Sequence, residues 1–133
     1  MRILIDTNVL ISTALNVGSI SSQAYTKAVS YPNHGIICEQ NVIELKRIFS
    51  NKFSDRLIAL DNFLALACTS LELVPMPNKR ISLETKIRDV NDRPILRAAV
   101  KAKVDIILTG DKDFLEAGIV SPRILSPKEF LAI

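Results

Sequence analysis

Apolar residues in this chain come in short runs that end abruptly on acids. Met1-Arg2-Ile3-Leu4-Ile5 stops on Asp6-Thr7-Asn8, and the apolar pattern then resumes as Val9-Leu10-Ile11. The uninterrupted Ile-Leu-Ile predicts a strand over Arg2–Asp6 that is buried on both faces, which is the environment of a parallel sheet interior. Val104-Asp105-Ile106-Ile107-Leu108 repeats the event and runs into Thr109-Gly110-Asp111-Lys112-Asp113. Ile36-Ile37-Cys38, Leu71-Glu72-Leu73-Val74 and Arg123-Ile124-Leu125 read as three further strands.

Helical spacing fills the intervals. Ser19-Ile20-Ser21-Ser22 offers cap residues, and Ala24, Tyr25, Ala28 and Val29 continue a helix to about Ser30, where Tyr31-Pro32-Asn33-His34-Gly35 breaks it. From about Gln40, Val42, Leu45, Phe49 and Phe53 share one helical face, and Leu57, Leu60, Leu64 and Cys68 mark the next helix, which runs to about Thr69. Pro94–Lys101, a short turn around Phe114 and Lys128–Ile133 complete the helices, while Asn78–Asp89 is polar and basic with Ile81, Leu83 and Ile87 as anchors. Strands alternating with helices predict an α/β protein, three layers deep, with a mostly parallel central sheet between helical layers. At 133 residues without an internal repeat or linker, residues 1–133 make a single domain.

Composition narrows the chemistry. The two cysteines, Cys38 and Cys68, form no CxxC pair, and apolar flanks predict buried free thiols. With His34 the only histidine, the chain cannot assemble the four ligands of a closed zinc site. A bound metal must therefore be held by oxygen. No segment approaches a membrane span or a secretion signal, which predicts a soluble cytoplasmic protein. The net charge of +3 is a weak pointer to a nucleic-acid partner.

Each acid at a strand end admits a structural and a chemical reading. Asp6 can cap a following helix, yet it stands at the C-terminal edge of a fully apolar strand, where open α/β sheets bind ligands, and Thr7 and Asn8 can orient it. Glu44 lies nearly opposite the Val42/Leu45/Phe49 face, which favours a solvated position, with Ile48 one turn on the only hint of cover. Asp92 precedes Arg93-Pro94 and reads equally as a helix cap, with Asp89 as a decoy nearby. Asp111 and Asp113, with Thr109, exceed what one turn requires. Arg93, Arg97 and Lys101 recur every four residues on one helical face, and Lys79, Arg80, Lys86 and Arg88 precede them. That face is either solvated or a landing surface for a polyanion.

Taken together, Asp6-Thr7-Asn8-Val9-Leu10-Ile11, Val42-Ile43-Glu44-Leu45, Asp92-Arg93-Pro94-Ile95-Leu96-Arg97-Ala98-Ala99 and Thr109-Gly110-Asp111-Lys112-Asp113-Phe114 resemble the ordered acidic motifs of PIN-domain ribonucleases. The likeness extends to Leu125-Ser126-Pro127-Lys128-Glu129-Phe130-Leu131 and is nearest to bacterial PIN proteins classed as toxins of toxin–antitoxin pairs. The resemblance implies a PIN-like fold and an acidic quartet of Asp6, Glu44, Asp92 and Asp111, supported by Asn8, Thr109 and Asp113. It implies Mg²⁺- or Mn²⁺-dependent cleavage of single-stranded RNA, an antitoxin partner and a homodimer. Arg93, Arg97 and Lys101 are then the candidate RNA contacts. The chemistry accords: two carboxylates about 5 Å apart repel by roughly 3 kcal/mol at an effective dielectric near 20, and oxygen ligands alone favour Mg²⁺ or Mn²⁺. The alternative is a PIN-like module that binds RNA or protein without turnover. A covalent aspartyl nucleophile is disfavoured, because Asp6-Thr7-Asn8 carries no second acid two residues on.

Overall fold

The computed structural model describes all residues from Met1 to Ile133. Five strands, β1 (Arg2–Ile5), β2 (His34–Cys38), β3 (Leu71–Val74), β4 (Ile106–Leu108) and β5 (Arg123–Leu125), form one sheet in the order β3-β2-β1-β4-β5. Every pairing is parallel.

Side-chain alternation along β1 divides the core in two. Ile3 and Ile5 join Val9 and Leu10 of α1 (Thr7–Leu15), Ala24 and Ala28 of α2 (Ile20–Val29), Leu45 and Phe49 of α3 (Glu39–Lys52), Phe63 of α4 (Leu57–Ser70), and Phe130 near the C-terminus. Leu4 points the other way, toward Ile95, Leu96 and Ala99 of α5 (Arg93–Lys101) and Phe114 of α6 (Lys112–Leu115). Phe130 lies on α7 (Pro127–Leu131), which begins with a capping box between Ser126 and Glu129. Covering both faces of the sheet explains why β1 and β4 at its centre read as unbroken apolar runs, while the edge strands β3 and β5 carry Glu72 and Arg123. The result is the expected three-layer α/β/α arrangement.

The first helix starts earlier than the capping signal at Ser19 predicts. Asp6 is itself an N-cap, and Val9-Leu10-Ile11 belongs to α1, because three apolar residues cannot distinguish strand from helix by period. Of the cysteines, Cys38 is buried but Cys68 is exposed on α4, contrary to expectation; both are free. The buried face of α4 is formed by Leu60, Phe63 and Ala67 instead.

The order of strands locates the crevice. From β1 the chain builds outward through β2 to β3, then returns to place β4 on the opposite side of β1. The C-terminal ends of β1 and β4 therefore flank the switch point at which open α/β sheets take ligands. The Asp6 N–H donates to the Leu108 carbonyl at 2.9 Å, holding these two ends together where β1 passes into α1 and β4 into the loop before α6.

Candidate active site

Asp6 is only 4% exposed and serves two purposes at once. Its Oδ1 accepts the Thr7 N–H at 2.8 Å, capping α1. Its Oδ2 accepts the Thr109 hydroxyl at 2.7 Å, and Asn8 Nδ2 reaches the same oxygen at 3.4 Å. Asn8 Oδ1 in turn accepts the Gly110 N–H at 3.0 Å. Thr109 and Asn8 thus latch the ends of β1 and β4 and fix one carboxylate between them.

A shallow concavity of about 160 Å³ opens above this latch, lined by Asp6, Thr7, Asn8, Ile11, Glu44, Ile48, Asp92 and Asp111. The four acids of the sequence motifs are brought together here. Glu44 is half-buried, not solvated: Oε2 accepts the Thr7 hydroxyl at 2.8 Å and Oε1 accepts Gln40 Nε2 at 3.1 Å. Asn41, fully buried at 0% exposure, donates to Thr7 Oγ1 at 3.1 Å and accepts the Cys38 N–H at 2.9 Å. The sequence reading missed Asn41 because it is polar. Counted with Leu45 and Phe49, it moves the buried arc of α3 toward Glu44, by about 100° per residue of helical turn. Its signal was available as an N3 side chain capping the turn after β2.

Asp92 stands at the N-cap of α5, yet its side chain accepts no helix N–H. Capping therefore does not account for its orientation. Asp111 does both, capping α6 by accepting the Asp113 N–H at 2.9 Å while lining the concavity. Asp113 lies outside the concavity, where Arg88 holds it at 2.8 Å. Asp89, Asp92 and Asp113 each place one carboxylate oxygen within 4.8 Å of the others, so the residue read as a decoy adjoins Asp92 in space.

No lysine or arginine lines the concavity. Burial pushes the Asp6 carboxyl up to about 6, against the Thr109 and Thr7 hydrogen bonds that favour its charge, and Glu44 and Asp111 add to the rise. Asp92 is pushed up to about 8 by burial first, then by the charges of Asp6 and Asp111. This negative charge without an internal counter-ion, presented by oxygen donors alone, fits a hard divalent cation.

The candidate RNA-binding face changes in the structure. Arg97 is mostly buried and clasps the buried Glu84 through Nε and Nη2, both at 2.9 Å, with side chains 15% and 4% exposed. Its charge is committed to the fold, because a carboxylate at that depth needs a cation. Arg93 Nε donates to the Ile87 carbonyl at 2.9 Å, and only Lys101 of the three is fully exposed. Glu84, on the 3₁₀ turn Ser82–Lys86, lay in a segment whose polar composition gave no sign of burial.

Comparison with known proteins bears on this geometry. A family model described as PIN domain matches residues 2–113. No curated protein matches the sequence. Among solved structures, VapBC2 from Rickettsia felis, crystallised with a DNA fragment from its promoter, is similar with a TM-score of 0.69 and 17% identity, covering 95% of this chain and 98% of that one. Mycobacterium tuberculosis VapC20, a sarcin–ricin loop cleaving toxin, is similar with a TM-score of 0.60 and 17% identity, covering 89% of this chain and 96% of that one. These likenesses concern the fold, whereas the family match spans most of the sequence and includes all four acids of the concavity: the chain belongs to the PIN-domain family.

Proposed function

We propose that this protein is a Mg²⁺- or Mn²⁺-dependent endoribonuclease acting on single-stranded RNA, and the toxin of a type II toxin–antitoxin pair. The observation that carries the reading is the crevice between β1 and β4, where Asp6, Glu44, Asp92 and Asp111 converge with no basic residue in the lining, in a PIN domain. The likeness to VapC20 and VapBC2 supports the toxin assignment and an antitoxin partner; a homodimer belongs to the same proposal.

Asp6, Glu44, Asp92 and Asp111 would hold the cation. When bound, such an ion supplies charge stabilisation at the scissile phosphate and lowers the pKa of a coordinated water. The chain's own contribution is orientation. Thr109 and Asn8 fix the Asp6 oxygens, Thr7 aims Glu44 from a position set by buried Asn41, and the free N-cap geometry leaves the Asp92 carboxylate available. These donors are on strand ends and helix starts, where packing restricts their movement, and preorganisation of that kind lowers the cost of reaching the transition state.

Purified protein incubated with a panel of single-stranded RNAs should cut in Mg²⁺ or Mn²⁺ and stop in EDTA. Cutting that persists undiminished in EDTA excludes the mechanism, and RNA retention without turnover in any metal favours the binding-module alternative. Expression of the chain alone should slow growth, and co-expression of the adjacent gene should restore it. Light scattering of the purified protein tests the homodimer.

A further inference from the structure

A second pocket lies beside the acidic crevice and has the opposite character. It encloses about 250 Å³ between the segment leading into α5 and α5 itself, lined by Arg80, Ile81, Glu84, Thr85, Val90, Arg93 and Arg97. Three arginines thus face one glutamate. That glutamate is already engaged by three hydrogen bonds: Oε1 accepts Arg97 Nε and the Ile81 N–H, and Oε2 accepts Arg97 Nη2. Arg97 is the partner of Glu84 and also reaches the Pro77 carbonyl through Nη1 at 3.4 Å. The other two arginines form no ion pair, although the Arg93 charge also acts on Glu84 through space. The four ion pairs of the chain use Arg2, His34, Arg88 and Arg97 as cations, so neither Arg80 nor Arg93 is among them. Arg93 is held by its Nε on the Ile87 carbonyl, which leaves both Nη groups to point elsewhere.

We propose that this pocket is a phosphate subsite for the RNA strand, in which Arg80 and Arg93 grip a phosphodiester next to the scissile one. The inference rests on the ribonuclease reading of the acidic crevice. Guanidinium forks match phosphate oxygens in geometry as well as charge, and an arginine anchored by its Nε is already oriented for the task. The position suits a polymer more than an isolated anion. Arg93 follows Asp92 directly in the chain, so the two residues that face the two sites have Cα atoms about 3.8 Å apart. A strand that brings one phosphate to the carboxylates carries further phosphates on both sides. Repulsion from the acids around the crevice also makes a cationic neighbour useful, since the substrate must approach a negatively charged surface. The pair Glu84–Arg97 forms the wall of the subsite and holds the segment on which Arg80 stands, acting as structure and not as a ligand.

The test measures binding of a short fluorescein-labelled single-stranded oligouridine to Asp6→Asn protein, which keeps the probe intact, across a range of salt concentrations. Arg80 has no partner in the fold, so Arg80→Gln removes charge without a structural cost. It should weaken binding about tenfold at low salt and reduce the slope of log affinity against log salt by about 0.7, the value for one phosphate contact on a single strand. Adding Arg93→Gln should reduce that slope by roughly the same amount again. Lys128→Gln, an equal change of charge on α7 across the sheet, should leave it unchanged. An unaltered slope in Arg80→Gln, in a protein whose wild-type form cuts RNA, overturns the subsite while the ribonuclease reading stands. Failure of the wild-type protein to cut any RNA removes the ribonuclease reading itself. Retention of a polyglutamate peptide that depends on Arg80 and is not displaced by the oligouridine overturns the proposal in favour of an acidic protein partner.

Discussion

Asp6 and Glu84 are both carboxylates sealed from solvent, at 4% and 3% exposure, yet the fold treats them in opposite ways. Arg97 clasps Glu84 and holds its carboxyl below the ordinary range, with the Ile81 N–H assisting. Asp6 receives only neutral donors, and burial drives it up to about 6. One acid is a structural charge with its counter-ion built in. The other is a charge whose counter-ion must come from outside. On the proposed reading the difference separates a buried acid that serves the architecture from one that serves chemistry, and it can be tested at either end.

The largest effect should follow from removing the built-in counter-ion. Arg97→Met leaves Glu84 buried and unpaired, and should lower unfolding stability by about 3–5 kcal/mol. Adding Glu84→Gln should recover much of that loss. A single Arg97→Met variant with wild-type stability in urea titration would show that Glu84 is not the structural charge described here.

Asp6→Asn should do the reverse, abolishing cleavage while raising stability in EDTA by up to about 3 kcal/mol, the equivalent of moving one carboxyl from its ordinary value to about 6. The sign follows from proton binding. Because Asp6 binds its proton more tightly when folded, the stability it contributes is complete below its unfolded value of 3.8 and is lost as pH rises through about 6. Asp92, raised to about 8, extends the same loss toward neutral pH. Glu84 and Glu72, both lowered, act oppositely and set the acid limit. Wild-type protein in EDTA should therefore melt at a higher temperature at pH 5 than at pH 7.5. The Asp6→Asn protein should show a smaller difference.

Adding Mg²⁺ at pH 7.5 should stabilise the wild type by about 2.7 kcal/mol once the ion reaches a hundredfold excess over its dissociation constant. Thermal shift should detect this in the wild type and show it diminished in Asp6→Asn. The smallest effect belongs to Arg88→Gln. Arg88 is 77% exposed and its pair with Asp113 should contribute no more than about 1 kcal/mol, measurable as a small change in urea midpoint.

What the sequence disclosed, and what it hid, follows the same division. The central strands and the acids at their ends are readable because a strand buried on two faces writes itself as an apolar run that the acids interrupt, and the edge strands β3 and β5 are readable as short apolar stretches with one charged residue each. α1 was hidden because Asp6 ends the strand and starts the helix with no loop between. Periodicity mislocated Glu44 because Asn41, polar but fully buried, was left off the wheel. The commitment of Arg97 was invisible for a different reason: its partner lies 13 residues earlier, in a segment without regular period. Helical spacing shows which arginines share a face, and only packing shows which of them is already taken.

The pairing of β1 with β4 also sets a clock. Ile3 aligns with Ile106 across the sheet, so β1 waits during synthesis for a neighbour 103 residues away. At translation rates of about 5–20 residues per second, that interval is on the order of 5–20 s. Throughout it the nascent chain lacks Thr109 and Asp111, so nothing from β4 fixes the Asp6 carboxylate. The crevice therefore cannot close before Asp111 has been made, long after the strand that carries Asp6 has left the ribosome.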